Sequence, residues 1–493
     1  MVEFVEKNDD ELQKRLKAIQ ENLKGADIKE LRKAYEDIYK DFPNDTRVLT
    51  TLGSILLNEH VFDKSIELLK KSLELKPDQV TALTNLAAAL AKKDKLDEAL
   101  DKINLAINMN PKFADAYLTK GSVLSRMQKL DESLESINKG IDLKPNNAGA
   151  FNTKGVVLQN MNRLDEALFS YDKAIKLSRD TSAAYFNKSY LMLLLGDYHN
   201  GWRLFEWRWK GLLKKAFRNF PRPLWLGNFD IKGKKILISQ EQGFGDFIQY
   251  SRYIALVKDL GADVIVECNA PVMVIASNLG CEVAVIEKKK PLPDFDAYCP
   301  LMSLPLAFKT DLSNIPSKVP YIKIPDEKQE KFKKKLGPKK SLRVGLIWAG
   351  SKNKEIDLGF WRERSLHFEQ LSSLLELPIE FHVLQKEVSQ EDENEIKKYS
   401  SVIIHKLDDF LDTGAIMNEV DIIISVDTAG AHLAGALGKE VWILIPLVCD
   451  YRWLMDRKDS PWYPSAKLFR QEQAGNWVNV IKNIKDELNS RIV

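Results

Sequence analysis

Two patterns of apolar and polar positions divide this chain. From about residue 40 to residue 180, apolar and small residues recur every 34 residues. Four columns keep this period together: the prolines Pro43, Pro77, Pro111 and Pro145; the small residues Gly53, Ala87, Gly121 and Gly155; the aspartates Asp63, Asp97, Asp131 and Asp165; and the aliphatic residues Leu73, Ile107, Ile141 and Ile175. Such a period predicts paired helices stacked into a solenoid, with small residues where two helices touch and a proline that ends the second helix.

The 34-residue unit resembles the tetratricopeptide repeat (TPR). We expect about six repeats over residues 1–215, with a diverged first repeat at 9–43 and a diverged last one at 181–215. The last repeat lacks the closing proline and is rich in aromatic residues. Its tryptophans are Trp202, Trp207 and Trp209. These rings either attach the solenoid to the next domain or cap the core of the last repeat.

One polar column runs through the repeats, two residues before each small residue. Its members are Thr51, Asn85, Thr119, Thr153 and Asn187. The column resembles the asparagine ladder of the eukaryotic O-GlcNAc transferase, with threonine at three of the five places. That resemblance implies a groove in which these side chains bind the backbone of an acceptor peptide. The alternative is a solvated polar face.

After a connector at 216–233, the pattern becomes α/β. Apolar runs of strand length lie at 235–238, 264–267, 283–286, 342–347, 381–384, 402–404, 422–425 and 441–445. Helical stretches alternate with these runs, which is typical of parallel sheets with crossover helices. The basic segment Lys328–Lys340 divides the runs into two groups, so we expect two Rossmann-like domains, at 234–336 and 341–493.

The loop Ser239–Asp246 joins the first predicted strand to a helix predicted at Phe247–Lys258. Its glycines, Gly243 and Gly245, let the backbone turn sharply and approach a ligand closely. On spacing alone the loop is typical of a phosphate cradle at a helix start.

A second strand–turn–helix unit lies in the last predicted domain. Asp427 or Thr428 is suited to cap its helix. The turn through Ala429 and Gly430 aims backbone N–H groups at the carboxyl end of the strand. His432 lies one turn into the helix, where it either contacts a phosphate or ribose or is a structural histidine.

Composition narrows the class of protein. The net charge is +3, from 73 basic and 70 acidic residues, which does not indicate a nucleic-acid partner. Four scattered cysteines offer neither a disulfide framework nor a zinc site. The N-terminus lacks the apolar core of a signal peptide, and no apolar run approaches the ~20 residues of a membrane span. We therefore expect a soluble cytoplasmic protein.

An ordered set of motifs resembles bacterial TPR-containing glycosyltransferases. The motifs are Glu241–Asp246, Trp348–Gly350, Asp427–Gly438, Asp450–Trp453, and Ser460–Pro464 followed by Leu468–Gln471. The catalytic half of these proteins is related to the heptosyltransferase family (glycosyltransferase family 9) and more distantly to O-GlcNAc transferase. The resemblance implies an α-solenoid followed by an α/β GT-B fold, whose two Rossmann-like domains face a cleft.

The resemblance also implies a mechanism. Heptosyltransferases are inverting enzymes of a class that needs no metal, and the aspartate of their Gly-Asp loop corresponds to Asp246. Asp246 would then be the general base, with Glu241 in reserve. The alternative is that Asp246 only caps the helix. The Asp-x-Asp pattern of Asp294 and Asp296 binds metal in another class of glycosyltransferases, but we interpret it here as structural and expect no cofactor.

Under this resemblance the N-terminal Rossmann-like domain takes the acceptor, beside Gly243 and Gly245, and the C-terminal domain takes the nucleotide sugar. Charge on a leaving nucleotide must be met by N–H groups, hydroxyls and cations. The candidate donor-binding residues are Ser351, Lys352, Arg364, Gln385, Asp427, Thr428, Ala429, Gly430 and His432. Lys354 and Arg362 lie in the same loop as Lys352 and Arg364. This loop departs from the family pattern, so which cation meets phosphate stays open.

The leading hypothesis is a protein glycosyltransferase. The TPR groove would hold an acceptor polypeptide, with flagellin or another surface protein as a candidate, while the GT-B half transfers a sugar from a nucleotide sugar. In one alternative the acceptor is a lipid or polysaccharide, and the TPR recruits a partner. In another the α/β half is degenerate and the chain is a scaffold, although Asp246, Asp427 and Thr428 are intact. The sugar, the nucleobase, the acceptor residue and the oligomeric state stay open.

Overall fold

The computed structural model describes residues 2–23, 27–211, 213, 214, 216–350 and 364–492. The chain forms two compact units, and the boundary between them lies between Thr181 and Ser182. The last predicted repeat, at 181–215, therefore belongs almost entirely to the second unit.

The first unit is built from paired helices. They are α1 (Val2–Asn22), α2 (Ile28–Asp41), α3 (Thr46–Asn58), α4 (Phe62–Leu75), α5 (Val80–Lys92), α6 (Leu96–Met109), α7 (Ala114–Arg126), α8 (Leu130–Leu143), α9 (Ala148–Asn160) and α10 (Leu164–Leu177). Pro43, Pro77, Pro111 and Pro145 each lie two residues beyond the end of a second helix. The predicted solenoid and the predicted role of the prolines are confirmed.

The small residues of the period are required by close helix packing. A Cβ atom on Gly121 would lie 2.4 Å from Ile137 Cγ1, and one on Gly155 would lie 2.4 Å from Tyr171 Cε1. On the facing helix, Ser133 Oγ donates a hydrogen bond of 2.6 Å to the carbonyl oxygen of Gly121. The period therefore repeats one local contact between the two helices of a pair.

The second unit begins with one more helical pair and continues into α/β structure. Its helices are α11 (Ser182–Leu194), α12 (Tyr198–Phe205), α13 (Phe244–Tyr250), α14 (Arg252–Asp259), α15 (Ala270–Ala276), α16 (Leu304–Ala307), α17 (Asp326–Leu336), α18 (Ser372–Leu375), α19 (Gln390–Ile396), α20 (Phe410–Glu419), α21 (Ala429–Ala436) and α22 (Val478–Asn489). Its strands are β1 (Lys235–Ser239), β2 (Asp263–Cys268), β3 (Ala284–Glu287), β4 (Ala297–Pro300), β5 (Arg343–Ile347), β6 (Glu380–Val383), β7 (Val402–Ile404), β8 (Ile422–Val426), β9 (Val441–Ile445) and β10 (Ala466–Arg470).

The strands form two parallel sheets, of four strands in the order β3-β2-β1-β4 and of six in the order β10-β9-β8-β5-β6-β7. The predicted parallel sheets are confirmed. β4 and β10, which lie at sheet edges, were not predicted from the sequence. An edge strand has a neighbour on one side only, so it need not be a long apolar run. β10 contains two cationic residues, Lys467 and Arg470, and β4 ends in proline.

The last helical pair packs directly on the α/β part. The ring of Trp202 meets Tyr250 and Tyr451 edge to face, at 6.1 and 5.8 Å between centroids. Trp207, just beyond α12, instead stacks at 3.9 Å on Tyr185 of α11. Both interpretations of the tryptophans therefore hold, each for a different ring: Trp202 attaches the pair to the next part, and Trp207 caps it.

Candidate functional site

Two helix starts meet at the carboxyl ends of the strands. α13 follows β1 and α21 follows β8, and the two helices are in contact. A Cβ atom on Gly245 would lie 2.9 Å from His432 Cδ2 and 3.5 Å from Ala429 Cα. Gly245 was predicted to give room to an acceptor, but the space beside it is filled by α21. Its lack of a side chain lets the two helices approach.

Asp246 lies inside the first turn of α13, because this helix begins at Phe244 and not at the predicted Phe247. Its Oδ2 accepts a hydrogen bond of 2.9 Å from the Gly243 N–H, so Asp246 does cap the helix. Its Oδ1 accepts a hydrogen bond from Arg452. The side chain is 16% exposed. Burial raises the pKa of Asp246 above the usual carboxyl value, and the Arg452 guanidinium opposes that rise.

Arg452 is the central cation of the site. It is buried in the loop after β9, and it donates to Asp246, to the amide oxygen of Gln249 and to Asp450 Oδ1 at 2.9 Å. Asp427 is also buried, and its pKa is raised by burial and by Asp450. Arg452 lies in the Asp450–Trp453 motif, but no role was predicted for it from the sequence. The signal in the sequence was the pair of opposite charges, Asp450 and Arg452, next to aromatic residues.

The start of α21 differs from that of α13. Thr428 is the residue before the first turn, and in the described part of the chain no side chain caps the helix. The prediction that Asp427 or Thr428 caps it is wrong, since the Thr428 hydroxyl lies 3.3 Å from Ser425 Oγ instead. The first-turn N–H groups, which include those of Ala429 and Gly430, are the kind that bind anions.

His432 is packed as a structural histidine. Its ring stacks on Trp453 at 5.5 Å, and its Nδ1 lies 2.9 Å from the hydroxyl of Tyr463. Burial lowers its pKa well below the usual value, so the ring is neutral. The packing favours the structural alternative, and direct contact with a phosphate or ribose stays a prediction.

Glu241 lies in the same loop as Asp246 but is held from the other side. Arg208 donates to both of its carboxylate oxygens, at 2.7 and 3.0 Å, and the Met302 N–H donates to Oε1 at 2.9 Å. The Glu241 side chain is 3% exposed. Its pKa is raised by burial and lowered by the Arg208 ion pair, with burial the larger effect. These contacts are more typical of a structural carboxylate than of a general base.

The structure describes some of the other residues that were predicted to bind the donor. Gln385 Oε1 accepts a hydrogen bond of 3.2 Å from the Ala349 N–H. Arg364 lies beside Gly350 and Thr428, because a Cβ atom on Gly350 would be 3.3 Å from Arg364 Nε and 3.5 Å from Thr428 Cγ2. Arg364 also lowers the pKa of Asp427. Ser351, Lys352, Lys354 and Arg362 lie outside the described residues.

The residues of the polar column occupy the same position in successive helical pairs. Thr51, Asn85, Thr119, Thr153 and Asn187 are each the sixth residue of the first helix in a pair. Several bond within the protein: Asn85 donates to Ser54 Oγ, and Thr153 donates to the Gly149 carbonyl oxygen at 3.0 Å. Asn187 belongs to the second unit. Contact of this column with an acceptor stays a prediction.

Asp296 has a structural partner. Its carboxylate accepts a hydrogen bond of 2.8 Å from the backbone N–H of Lys235, at the start of β1. Among the described residues, no group of three or more histidine, cysteine, aspartate or glutamate side chains is arranged to hold a metal ion. Nor does any described helix combine the length and apolar character of a membrane span.

Comparisons with known proteins identify the repeats. The model of the tetratricopeptide repeat family matches residues 114–147 and 148–181. Protein FlbA of Caulobacter vibrioides is 24% identical over an aligned length of 322, and the match covers 59% of this chain and 52% of FlbA. The chain thus spans about half the length of this curated relative. The chain contains TPR repeats, a type of domain that binds protein partners.

Solved structures are also similar to part of the chain. A thermophilic TPR protein of Thermus thermophilus is 22% identical and covers 37% of this chain and 98% of its own, with a TM-score of 0.34. A MamA fragment from Desulfovibrio magneticus RS-1 is 21% identical and covers 34% of this chain and 96% of its own, with a TM-score of 0.29.

Proposed function

We propose that the protein is a glycosyltransferase of the GT-B class, which moves a sugar from a nucleotide sugar to a polypeptide. One observation carries the proposal. A partly buried carboxylate, Asp246, stands at the carboxyl end of one parallel sheet, and its neighbour Gly245 packs against the uncapped start of α21 at the carboxyl end of the other. Ligands of open α/β sheets bind beyond the carboxyl ends of the strands, so a donor and a base would meet here.

The chemistry follows from the charges. Asp246 would take the proton of the acceptor hydroxyl or amide as a bond forms to the anomeric carbon, while the bond to the nucleotide phosphate breaks. The negative charge that grows on the leaving phosphate would be met by the N–H groups of α21 and by Arg364. Attack opposite to the leaving group inverts the anomeric centre. No metal takes part in the proposed reaction.

The TPR repeats support a polypeptide acceptor, because such repeats bind protein partners. The polar column through Asn85 and Thr153 is the candidate contact surface. Flagellin or another surface protein remains the candidate acceptor from the family resemblance.

The direct test combines donor and acceptor panels. UDP-, GDP-, CMP- and ADP-sugars are incubated with candidate polypeptides, and intact mass is measured. The expected result is a gain of one sugar residue with one donor class. An acceptor that stays unmodified across the whole panel would count against the proposal. The double variant Asn85→Ala/Thr153→Ala should weaken transfer to polypeptide without changing hydrolysis of the donor. An unchanged KM for polypeptide would mean that the polar column does not hold the acceptor.

Nucleotide binding is tested separately by thermal unfolding. A nucleoside diphosphate at 100-fold its dissociation constant adds ~2.7 kcal/mol to the free energy of unfolding. Arg364→Ala should reduce this stabilisation. Arg222→Ala, an exposed arginine in the connector, is the control and should not. No stabilisation by any nucleotide would favour the scaffold alternative.

A further inference from the structure

Arg208 is a fully buried arginine just beyond the last helical pair, with no part in the proposed chemistry. It belongs to a short 3-10 helix, Glu206–Trp209, that follows α12. Its side chain is 0% exposed, and its guanidinium lies 4.6 and 4.5 Å from the ring centroids of Phe205 and Trp209. A cation buried this deeply persists only when its N–H groups are paired.

The guanidinium joins three segments of the chain. Besides the two bonds to Glu241, it donates to Ser303 Oγ at 2.7 Å and to Glu206 Oε1 at 2.6 Å. Glu241 follows β1 and Ser303 follows β4, and these strands are neighbours in the sheet. One side chain next to the helical pair therefore ties the pair to the carboxyl ends of two strands.

A second path runs from the helical pair to the other end of the same loop. The Tyr190 hydroxyl of α11 donates to Asp450 Oδ2 at 3.5 Å, and Asp450 Oδ1 lies 2.9 Å from Arg452 Nη1. Arg452 in turn donates to Asp246. The loop is thus held at Glu241 by Arg208 and at Asp246 by Arg452, whose partner Asp450 is bonded to Tyr190.

We propose that the segment 182–209 is a built-in part of the transfer site, and that Arg208 is a positioning residue that holds the loop 239–246 in place through Glu241. Under this proposal Glu241 orients the loop and moves no proton. The activity readout rests on the proposed function, whereas the exchange readout below does not.

The first test uses Arg208→Lys in the full chain, which keeps the charge but removes the fork that binds both oxygens of Glu241. Amide hydrogen exchange of the peptide over 239–247 should speed up about tenfold, because the loop opens locally. The value of kcat should fall about 10- to 100-fold, as expected when a reacting group is misplaced, with KM for the nucleotide sugar unchanged. Arg203→Lys on the exposed face of α12 is the control. Unchanged exchange and unchanged kcat would overturn the proposal.

The second test also serves if Arg208→Lys fails to fold. Arg208→Gln and Glu241→Gln are made singly and together, so that the double variant replaces the ion pair by two neutral amides that can bond to each other. If Arg208 acts by positioning, the double variant should recover kcat relative to Arg208→Gln. If Glu241 is the base, both variants that lack it should lose transfer, and the proposal fails. Should the wild-type protein transfer no sugar, the proposed function fails while loop exchange in the double variant still tests the positioning.

Discussion

The starts of α13 and α21 look alike in sequence and differ in the hydrogen bonds that their side chains make. Each follows a buried parallel strand, each has an aspartate within one turn of its start, and each contains small residues. At α13 the carboxylate of Asp246 turns back onto the Gly243 N–H, so the protein itself supplies the negative charge. At α21 no described side chain makes a capping hydrogen bond, although the Asp427 carboxylate lies just before the helix. A Gly-rich helix start is therefore an anion site only when its own side chains leave the N–H groups open.

Under the proposed function the two helix starts would have opposite roles. α13 carries a carboxylate whose pKa is raised, which suits proton transfer. α21 carries open N–H groups close to Arg364, which suits a phosphate. The predictions below separate these roles.

The largest effect is expected for Asp246→Asn. The amide keeps the size and the capping oxygen but cannot accept a proton at neutral pH, so transfer should fall by about three orders of magnitude or more. Nucleotide affinity, measured by calorimetry, should be unchanged because α21 is untouched. Asp294→Asn, in an exposed loop of the same region, is the matched control. Near-normal transfer by Asp246→Asn would place the base elsewhere and leave α13 with a structural role.

A smaller effect is expected for Arg452→Gln, read from the pH profile. Arg452 lowers the pKa of Asp246 against the effect of burial, so its removal should raise that pKa further. A base works only when deprotonated, and activity is lost as the pH falls through its pKa. The acid limb of kcat/KM should therefore move to higher pH in Arg452→Gln, with a loss of about 10-fold or more at neutral pH. An acid limb that stays in place would mean that Asp246 does not control it, and Arg203→Gln serves as the control.

The smallest effect is expected for Gly245→Ala, and it concerns stability. The new methyl group would lie 2.9 Å from the His432 ring, which Trp453 and Tyr463 hold in place. Overpacking of this kind costs about 1–3 kcal/mol of the free energy of unfolding. Gly280→Ala, whose Cβ would have its nearest neighbour at 4.0 Å, should be close to neutral in the same denaturant titration. If Gly245→Ala keeps full stability but loses acceptor binding, the glycine serves the acceptor, as the sequence suggested.

Much of the repeat architecture could be predicted from the sequence. Two of its features are local: the helix ends just before Pro77, Pro111 and Pro145, and the close packing at Gly121 and Gly155. Each of these contacts lies within one repeat or between neighbouring repeats. The strands of the sheet interiors were likewise readable as apolar runs. The loop 239–246 and the turn before α21 were recognised as important, and both lie at strand ends.

The partners of the site residues could not be read in this way. Asp246 meets Arg452 across 206 positions of the chain, and Glu241 meets Arg208 across 33. No local pattern encodes which buried charge pairs with which, because the pairing is set by how α11, α12 and the two sheets pack together.

The sequence alone determined the helical repeats, the parallel strands and the two loops at their ends, because period, burial and turn chemistry are properties of short segments. Only the tertiary structure decided that Asp246 accepts from both Gly243 and Arg452, that Gly245 makes room for His432, and that the last helical pair joins the second unit. These outcomes depend on contacts between distant segments, whose free energy is realised only when the chain has folded around them.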